Sequence, residues 1–279
     1  MIGVVDVGGG LRGIYGAGIF DYCIEQGIRF DYCIGVSAGA ANMCSLQGKQ
    51  RGRNYVYYTE YAARSEYMGP GRFLKDRNFI NLDYIYGTLS NSGGEYPLDY
   101  AAMLKDPAPL KIVATNALTG EAVYFDKVKD MSQDHYEAIC ASCCVPVVNR
   151  PYVIGGIPYY DGGLSDAVPF EKAFEEGCDK VVLVLTKTRD FIRDAAPDVR
   201  MTKYLMGNRY PAAKRALMDR ARVYNEAVEK AKKLEREGKL LILAPENTGR
   251  LKTLTKDFSA LNDMYRQGIE HAKRLESFV

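Results

Sequence analysis

The chain has 279 residues and a formal net charge of +2, and 47% of its residues are hydrophobic while 26% are charged. This composition excludes a disordered or fibrous chain and is typical of a soluble globular protein. The small net charge does not favour a nucleic-acid partner, so we expect none. No run approaches the roughly eighteen apolar residues of a spanning helix and no signal peptide is visible, so we expect a cytoplasmic protein.

The cysteines predict buried free thiols. Their number is odd, the chain shows no secretion signal, and most of them have apolar neighbours. Cys143 and Cys144 are adjacent, but neither C-x-x-C spacing nor histidines at ligand spacing accompany them. We therefore expect no metal and no cofactor. The cysteines are Cys23, Cys33, Cys44, Cys140, Cys143, Cys144 and Cys178.

The first part of the chain alternates between strand and helix patterns. Strands are predicted at 3–7 and 31–36, and helices at about 14–26 and 38–46. The segment GGGLRG (8–13) separates the first strand from the first helix. A β-α-β-α beginning of this kind predicts parallel strands joined by right-handed crossovers.

The GGGLRG segment has two interpretations. It fits the dinucleotide-binding pattern G-x-G-x-x-G, but that pattern needs an acidic residue at the end of the second strand. Asp31 precedes that strand, and Ser37 follows its end. In the other interpretation, successive glycine N–H groups and the charge of Arg12 stabilise an oxyanion at the helix start. The candidate oxyanion-hole residues are Gly8, Gly9, Gly10, Arg12 and Gly13.

The segment GVSAG (35–39) fits the pattern G-x-S-x-G in the strand-turn-helix context that the pattern requires. The abrupt turn strains the residue at its apex, and Gly35 and Gly39 provide the space that the crossing backbones need. The hydroxyl of Ser37 is thereby presented at the turn, and the following helix directs its positive end to an oxyanion formed there. Ser37 is therefore the candidate nucleophile.

A tyrosine-rich segment follows, and after it comes a segment rich in loop-forming residues. Residues 51–67 carry five tyrosines among charges and predict an amphipathic helix that could contact a lipid surface, although packing between helices explains the pattern as well. Residues 69–106 are rich in Gly, Pro and Asn, with one helical pattern near 82–89. They predict a long excursion that could form part of a substrate cleft.

The second half of the chain continues the alternation and then changes in composition. After Lys187 a charged helical pattern predicts a C-terminal helix-strand-helix extension (191–279) packed on the domain formed by residues 1–190. Basic residues of 211–239 could dock on anionic lipid, but interleaved acidic residues favour a solvated face. Strands are predicted at 111–116, 121–125, 152–160 with an interruption at Gly155-Gly156, 180–186 and 240–245, and helices at 136–142, 170–176, 211–238 and 258–278.

Asp161 is the candidate general base. It lies at the end of a predicted strand, before Gly162 and Gly163, at the edge where parallel sheets build their sites. An ordinary Asp-Gly-Gly turn is the alternative interpretation. His135 and His271 are the only histidines in the sequence. The first lies near a predicted helix start and the second in a polar helical stretch predicted to lie at the surface, so we expect neither to act as the base.

Four segments together resemble the patatin-like phospholipase family. They occur in the family's order within about residues 1–190 and stand here as GGGLRG (8–13), GVSAG (35–39), ASCCVP (141–146) and DGGLSDAVP (161–169). The resemblance implies a three-layer α/β/α fold with a mainly parallel central sheet and a Ser-Asp dyad without histidine. In that dyad Ser37 is the nucleophile, Asp161 activates it, and the glycine loop with Arg12 binds the oxyanion. The C-terminal part resembles the extension of a bacterial subgroup of the family.

The sequence therefore predicts a cofactor-free serine acyl hydrolase for lipid or other fatty-acyl esters, of the phospholipase, lysophospholipase or esterase type. We expect a cytoplasmic protein, and a lipid substrate would allow peripheral contact with the inner membrane surface. Acyl transfer to an acceptor other than water is one alternative. A non-catalytic lipid- or nucleotide-binding protein that uses the glycine loop is another. The sequence makes no prediction of an oligomeric state.

Overall fold

The computed structural model describes residues 1–204, 206–248, 251, 253–254 and 256–279. These residues form one eight-stranded sheet with helices on both faces. The strands are β1 (Ile2–Asp6), β2 (Tyr32–Val36), β3 (Leu110–Asn116), β4 (Ala122–Asp126), β5 (Tyr152–Ile154), β6 (Ile157–Asp161), β7 (Lys180–Val184) and β8 (Leu240–Leu243). Their order is β5-β6-β3-β2-β1-β7-β8, and β4 also pairs with β3.

The middle of the sheet is parallel. β1 pairs in parallel with β2 and β7, and the same holds for β2 with β3 and for β7 with β8. β4 and β6 run antiparallel to β3, and β5 runs antiparallel to β6. Asp6 is in register with Gly35 on β2 and with Val184 on β7. The carboxyl ends of three neighbouring strands therefore reach the same edge, which carries the glycine loop and the GVSAG turn.

Helices cover both faces of the sheet. Val4 of β1 belongs to one hydrophobic core and Val5 to the other, because successive side chains of a strand point to opposite faces. The predicted α/β fold with a mainly parallel central sheet is therefore confirmed. The helices are α1 (Ile14–Gln26), α2 (Ala38–Gln47), α3 (Arg53–Thr59), α4 (Pro70–Asp76), α5 (Tyr100–Lys105), α6 (Glu137–Ser142), α7 (Phe170–Glu175), α8 (Ala196–Tyr204), α9 (Pro211–Arg236) and α10 (Phe258–Ala272).

The residues after 190 join the same sheet and the same helical layer as the residues before them. β8 adds a parallel edge strand to β7. α10 lies so close to α1 that a Cβ added to Gly18 would be 2.2 Å from Tyr265 O, and one added to Gly268 would be 2.2 Å from Tyr15 O. Glycine is needed at both positions because a side chain would separate the two helices.

The segment predicted as one interrupted strand at 152–160 is a hairpin. Gly155 and Gly156 have positive φ values of 56° and 83°, and they join β5 to β6 as a two-residue turn. A turn of this kind requires left-handed backbone at both central residues, which glycine adopts without steric cost. The prediction of a single strand was therefore wrong at this point.

The tyrosine-rich segment 51–67 contains less helix than its pattern predicts. α3 is followed by a short 3-10 turn, Tyr61–Ala63, and the chain then leaves the helical conformation. Tyr57, Tyr58, Tyr61 and Tyr67 are buried, so these rings pack inside the protein rather than on its surface. Within the described ranges, no helix has the length and the apolar character needed to cross a bilayer.

Two other segments wind differently from their predicted helices. The pattern near 82–89 forms a π-helical turn, Asp83–Thr88. The last predicted helix, 258–278, is α-helical only to Ala272 and then tightens into a 3-10 turn, Lys273–Ser277. Helix ends commonly tighten in this way because their last carbonyl groups lack α-helical partners.

The contact between α1 and α10 gives a stability prediction. Replacing Gly268 by alanine should lower the free energy of unfolding by about 1–3 kcal/mol, because the added methyl group would overlap Tyr15 O. Gly71 in α4 provides a matched control, since nothing lies within 4 Å of a Cβ added there. Urea unfolding followed by circular dichroism compares the two variants. Equal stability of Gly268→Ala and Gly71→Ala would contradict the close helix packing.

Candidate active site

Ser37 forms the turn between β2 and α2. Its φ of 55° and ψ of −128° lie in a backbone region that residues with a side chain rarely adopt. A Cβ added to Gly35 would lie 2.4 Å from Ala40 Cα, and one added to Gly39 would lie 2.2 Å from Asp6 O. Because only glycine fits at these two positions, the chain bends sharply enough to place Ser37 at the carboxyl edge of the sheet.

Ser142, at the end of α6, holds this turn in place. Its hydroxyl accepts the N–H of Ser37 at 2.8 Å and donates to Val113 O at 2.6 Å. The side chain is fully buried, and one hydroxyl can make both bonds at once. Ser142 therefore connects the turn to β3. Sequence analysis included it in the segment 141–146 without a role, because a sequence does not show which backbone groups a hydroxyl reaches.

A buried carboxylate organises the glycine loop. Asp6 is fully buried, and it accepts the N–H of Gly8 at 2.9 Å and the amide of Asn42 at 2.8 Å. Asn42 also donates to Gly13 O at 2.9 Å. Burial raises the pKa of Asp6 to about 6, against the lowering effect of its two hydrogen bonds. The N–H of Gly8 is already used by Asp6, which corrects the prediction that it binds an oxyanion.

The other predicted oxyanion-hole residues divide into two groups. Gly13 has a packing role, since a Cβ added there would lie 2.6 Å from Tyr58 Oη. The N–H groups of Gly9 and Gly10 donate to no acceptor within the ranges that the structure describes. Both residues line one cavity together with Arg12 and the candidate nucleophile. Among the described residues, these two N–H groups and the charge of Arg12 are the candidate donors to an oxyanion.

Asp161 ends β6, and its carboxyl is buried in the same cavity as Ser37. The N–H of Gly163 donates to Asp161 Oδ1 at 2.8 Å, which fixes one carboxyl oxygen. A Cβ added to Gly162 would lie 2.2 Å from Val113 O. This glycine therefore lets the end of β6 lie directly against β3, on the strand that Ser142 also contacts.

The surroundings of Asp161 act on its pKa in opposite directions. Burial raises the pKa of the carboxyl, while the side chain of Ser37, the charge of Arg220, the N–H of Gly163 and the charge of Arg193 lower it. Burial has the largest effect, so the net direction is upward. The carboxylate is therefore a stronger base than an exposed aspartate, and the two arginines favour its ionised form.

The two histidines lie elsewhere. The side chain of His135 is 69% exposed, and its nearest charged partner is Glu137 at 3.2 Å. His271 lies on α10, where its ring hydrogen-bonds with Tyr15 Oη at 2.9 Å. It is only partly exposed, contrary to its predicted surface position. Neither histidine lines either of the cavities that contain Ser37.

Ser37 borders two cavities of different character. The larger one, of about 340 Å³, contains Asp161, the loop glycines and the basic side chains of Arg12, Lys187, Arg193 and Arg220. The other is lined mainly by apolar and aromatic side chains. Ser37 thus stands between a basic and an apolar compartment. The apolar lining includes Tyr58, Tyr67, Met68, Leu82, Ile85 and Tyr86.

Residues of the C-terminal part complete the basic compartment. Thr253 O accepts the N–H of Leu11 at 2.9 Å, and Thr253 Oγ1 accepts from Arg12 Nη1 at 3.0 Å. Arg220 and Tyr224 of α9 line the same cavity. The sequence does not identify these C-terminal residues as part of the site, because they lie in no recognisable motif and are far from Ser37 along the chain.

Comparison with known proteins gives two matching family models. One, described as patatin-like phospholipase, matches residues 7–174, and the other, a domain of unknown function (DUF6363), matches residues 210–277. The uncharacterized protein YjjU of Escherichia coli (strain K12) is 33% identical over 190 residues, which are 66% of this chain and 52% of YjjU. The chain therefore spans about half the length of this curated relative.

VipD from Legionella pneumophila is similar in structure. Its crystal structure matches with a TM-score of 0.50 and 15% sequence identity, over 99% of this chain and 66% of VipD, so the two proteins share a fold. The patatin-like phospholipase model covers more than half of the chain and includes the GVSAG and DGGLSDAVP segments. The chain belongs to the patatin-like phospholipase family.

Proposed function

We propose that this protein is a serine acyl hydrolase that cleaves lipid or other fatty-acyl esters through an acyl-Ser37 intermediate. The observation that carries the proposal is the position of Ser37 on a strained turn, between an apolar cavity and a cavity that holds Asp161 and Arg12. A nucleophile, a buried base and oxyanion donors around one cavity are the groups that acyl transfer requires.

In the first half of the reaction, Ser37 Oγ attacks the ester carbonyl carbon while Asp161 takes the hydroxyl proton. The carbonyl oxygen becomes an oxyanion, which the N–H groups of Gly9 and Gly10 and the charge of Arg12 stabilise. The tetrahedral intermediate then collapses, the bond to the alcohol oxygen breaks, and Asp161 returns its proton to that oxygen. The products of this half are the free alcohol and acyl-Ser37.

In the second half, water replaces the alcohol. Asp161 takes a proton from the water molecule as its oxygen attacks the acyl carbon, and the same donors stabilise the second oxyanion. Collapse breaks the bond to Ser37 Oγ, which recovers its proton from Asp161. One carboxyl group can serve both halves of the reaction. It is ionised at the start and at the end of each half, and it is protonated only while the tetrahedral intermediate exists.

The apolar cavity supports a fatty-acyl chain as the group transferred. Its aromatic and aliphatic lining would take an alkyl chain out of water, at about 0.8 kcal/mol for each methylene buried. Cys143 is buried in this lining and burial raises the pKa of its thiol to about 12, so the thiol is neutral there. Such a lining favours apolar acyl groups over polar ones.

Substitution of the two dyad residues should separate chemistry from binding. Ser37→Ala should abolish ester hydrolysis, and Asp161→Asn should lower kcat by about a thousandfold or more, because the amide cannot accept the Ser37 proton. Steady-state kinetics with a p-nitrophenyl fatty-acyl ester measures both effects, and circular dichroism verifies folding. Hydrolysis by folded Ser37→Ala at more than about one per cent of the parent rate would refute the nucleophile assignment.

The histidines provide the complementary test. The double variant His135→Gln, His271→Gln should hydrolyse the same ester within about tenfold of the parent rate, or 1.4 kcal/mol of barrier, because neither ring lines the cavities around Ser37. A loss of about a thousandfold in the folded double variant would restore a histidine base and reject the dyad.

The pH profile should report the ionisation of Asp161. As pH falls, kcat/KM should fall with an apparent pKa above the ordinary aspartate value, since burial raises the pKa and only the ionised carboxyl accepts a proton. Arg220→Gln should move this acid limb to higher pH, because Arg220 lowers the pKa of Asp161. Arg215→Gln, an exposed position on the same helix, should leave the limb unchanged. An acid limb with the same apparent pKa in Arg220→Gln as in the parent would contradict the assignment of Asp161 as base.

A further inference from the structure

Four cations surround one cavity beside Ser37, and they come from four separate segments. Arg12 lies in the glycine loop GGGLRG (8–13), Lys187 lies just after β7, Arg193 precedes α8, and Arg220 lies on α9. Burial acts most strongly on two of them, and their mutual repulsion adds to its effect. Burial, with the charges of Arg193 and Arg220 adding to it, lowers the pKa of Arg12 to about 10, and burial with the charges of Arg12 and Arg193 lowers the pKa of Lys187.

The carboxylates of the cavity do not balance these cations. Asp161 and Asp198 are the acidic residues in its lining within the part of the chain that the structure describes. Asp198 accepts two hydrogen bonds from Arg193, at 3.1 and 3.2 Å, and its more distant partner Arg220 Nη1 lies at 3.9 Å. One buried carboxylate is thus shared by two guanidinium groups. Among the described residues of the lining, four cations face two carboxylates, which is a surplus of about two positive charges.

Two of the guanidinium groups also have unused donors. Arg12 Nε and Arg220 Nε are buried and have no hydrogen-bond acceptor among the described residues. Arg12 is only 8% exposed, and its hydrogen-bond partner within the described ranges is Thr253. Buried donors without an acceptor are rare in folded proteins, and a bound ion is one of the groups that satisfies them. Planar guanidinium groups are suited to phosphate oxygens.

We infer that this basic cluster is an anion site that selects acyl esters whose alcohol part carries a terminal phosphate group. The inference rests on the proposed function, since it assigns the alcohol side of the ester to the basic compartment and the acyl chain to the apolar one. A phosphate monoester carries about −1.5 to −2 charges near neutral pH, which matches the surplus in the lining. A zwitterionic head group would bring a further cation among the arginines and is disfavoured.

Three of the four cations lie outside the segment matched by the patatin-like model. Lys187 and Arg193 lie between the two family-model matches, and Arg220 lies within the second, at 210–277. Arg220 Nη2 is 3.6 Å from the position of a Cβ added to Gly163, whose N–H donates to Asp161. Arg220 therefore stands close to the reacting groups, where it contacts the phosphate end of a short alcohol.

Three esters with the same short acyl chain test the selectivity as dissolved monomers: lysophosphatidic acid, lysophosphatidylcholine and monoacylglycerol. The parent enzyme should hydrolyse the phosphate monoester with a kcat/KM at least about tenfold above that of the other two. Arg220→Gln and Lys187→Gln should each reduce this ratio by about tenfold or more. Arg215→Gln removes a charge from the exposed side of α9 and should preserve the ratio. Equal kcat/KM values for the three esters in the parent would overturn the inference.

Direct binding separates this inference from the hydrolase proposal. Calorimetric titration of Ser37→Ala with glycerol 3-phosphate, glycerol and inorganic phosphate should show binding of glycerol 3-phosphate that is lost when Arg220→Gln is added. No ester hydrolysis by the parent, together with such binding, would reject the hydrolase and uphold the anion site. Hydrolysis of all three esters without glycerol 3-phosphate binding would reject the anion site and leave the hydrolase standing. Inorganic phosphate binding as tightly as glycerol 3-phosphate would overturn the head-group claim, because the site would then recognise free phosphate.

Discussion

The strained backbone of Ser37 is the constraint on which the carboxyl edge of the sheet depends. A non-glycine residue at φ 55° and ψ −128° costs about 1–3 kcal/mol, so the surrounding structure must fix it. Gly35 and Gly39 remove the bulk that would open the turn, and Ser142 connects its N–H to β3. Asp6, at the end of β1, accepts the N–H of Gly8 and so fixes the glycine loop next to this turn. These contacts form one network, which presents a hydroxyl to the cavity at a fixed position.

The C-terminal part of the chain contacts the sheet, α1 and the glycine loop, and it is therefore part of this network. β8 extends the sheet, α10 meets α1 at backbone distance, and Thr253 hydrogen-bonds the glycine loop at Leu11 and Arg12. α9 brings Arg220 next to the turn that orients Asp161. Arg12 and Arg220, 208 positions apart in the chain, therefore share one electrostatic environment, and the charge of Arg220 also acts on the pKa of the candidate base.

Features with a local cause could be predicted from the sequence, and features with a distant cause could not. The alternation of strands and helices and the glycine requirement around Ser37 follow from residues adjacent in the chain. The turn at Gly155 was misread because an isolated glycine pair predicts an interruption as well as a hairpin. The use of Gly8 N–H by Asp6, the role of Ser142 and the position of Arg220 depend on three-dimensional contacts. No spacing rule connects these residues. The sequence therefore predicted the dyad candidates, but not the groups that orient them or the charged side chains that surround them.

We propose that Ser37 is the nucleophile of this member of the patatin-like phospholipase family. Labelling of the intact protein with a fluorophosphonate, followed by peptide mapping, tests it most directly, because the reagent reacts covalently with activated serine hydroxyls. We expect one adduct, on Ser37, that is absent in Ser37→Ala and forms much more slowly in Asp161→Asn. An adduct on another residue of the folded protein, or no adduct at all, would contradict it.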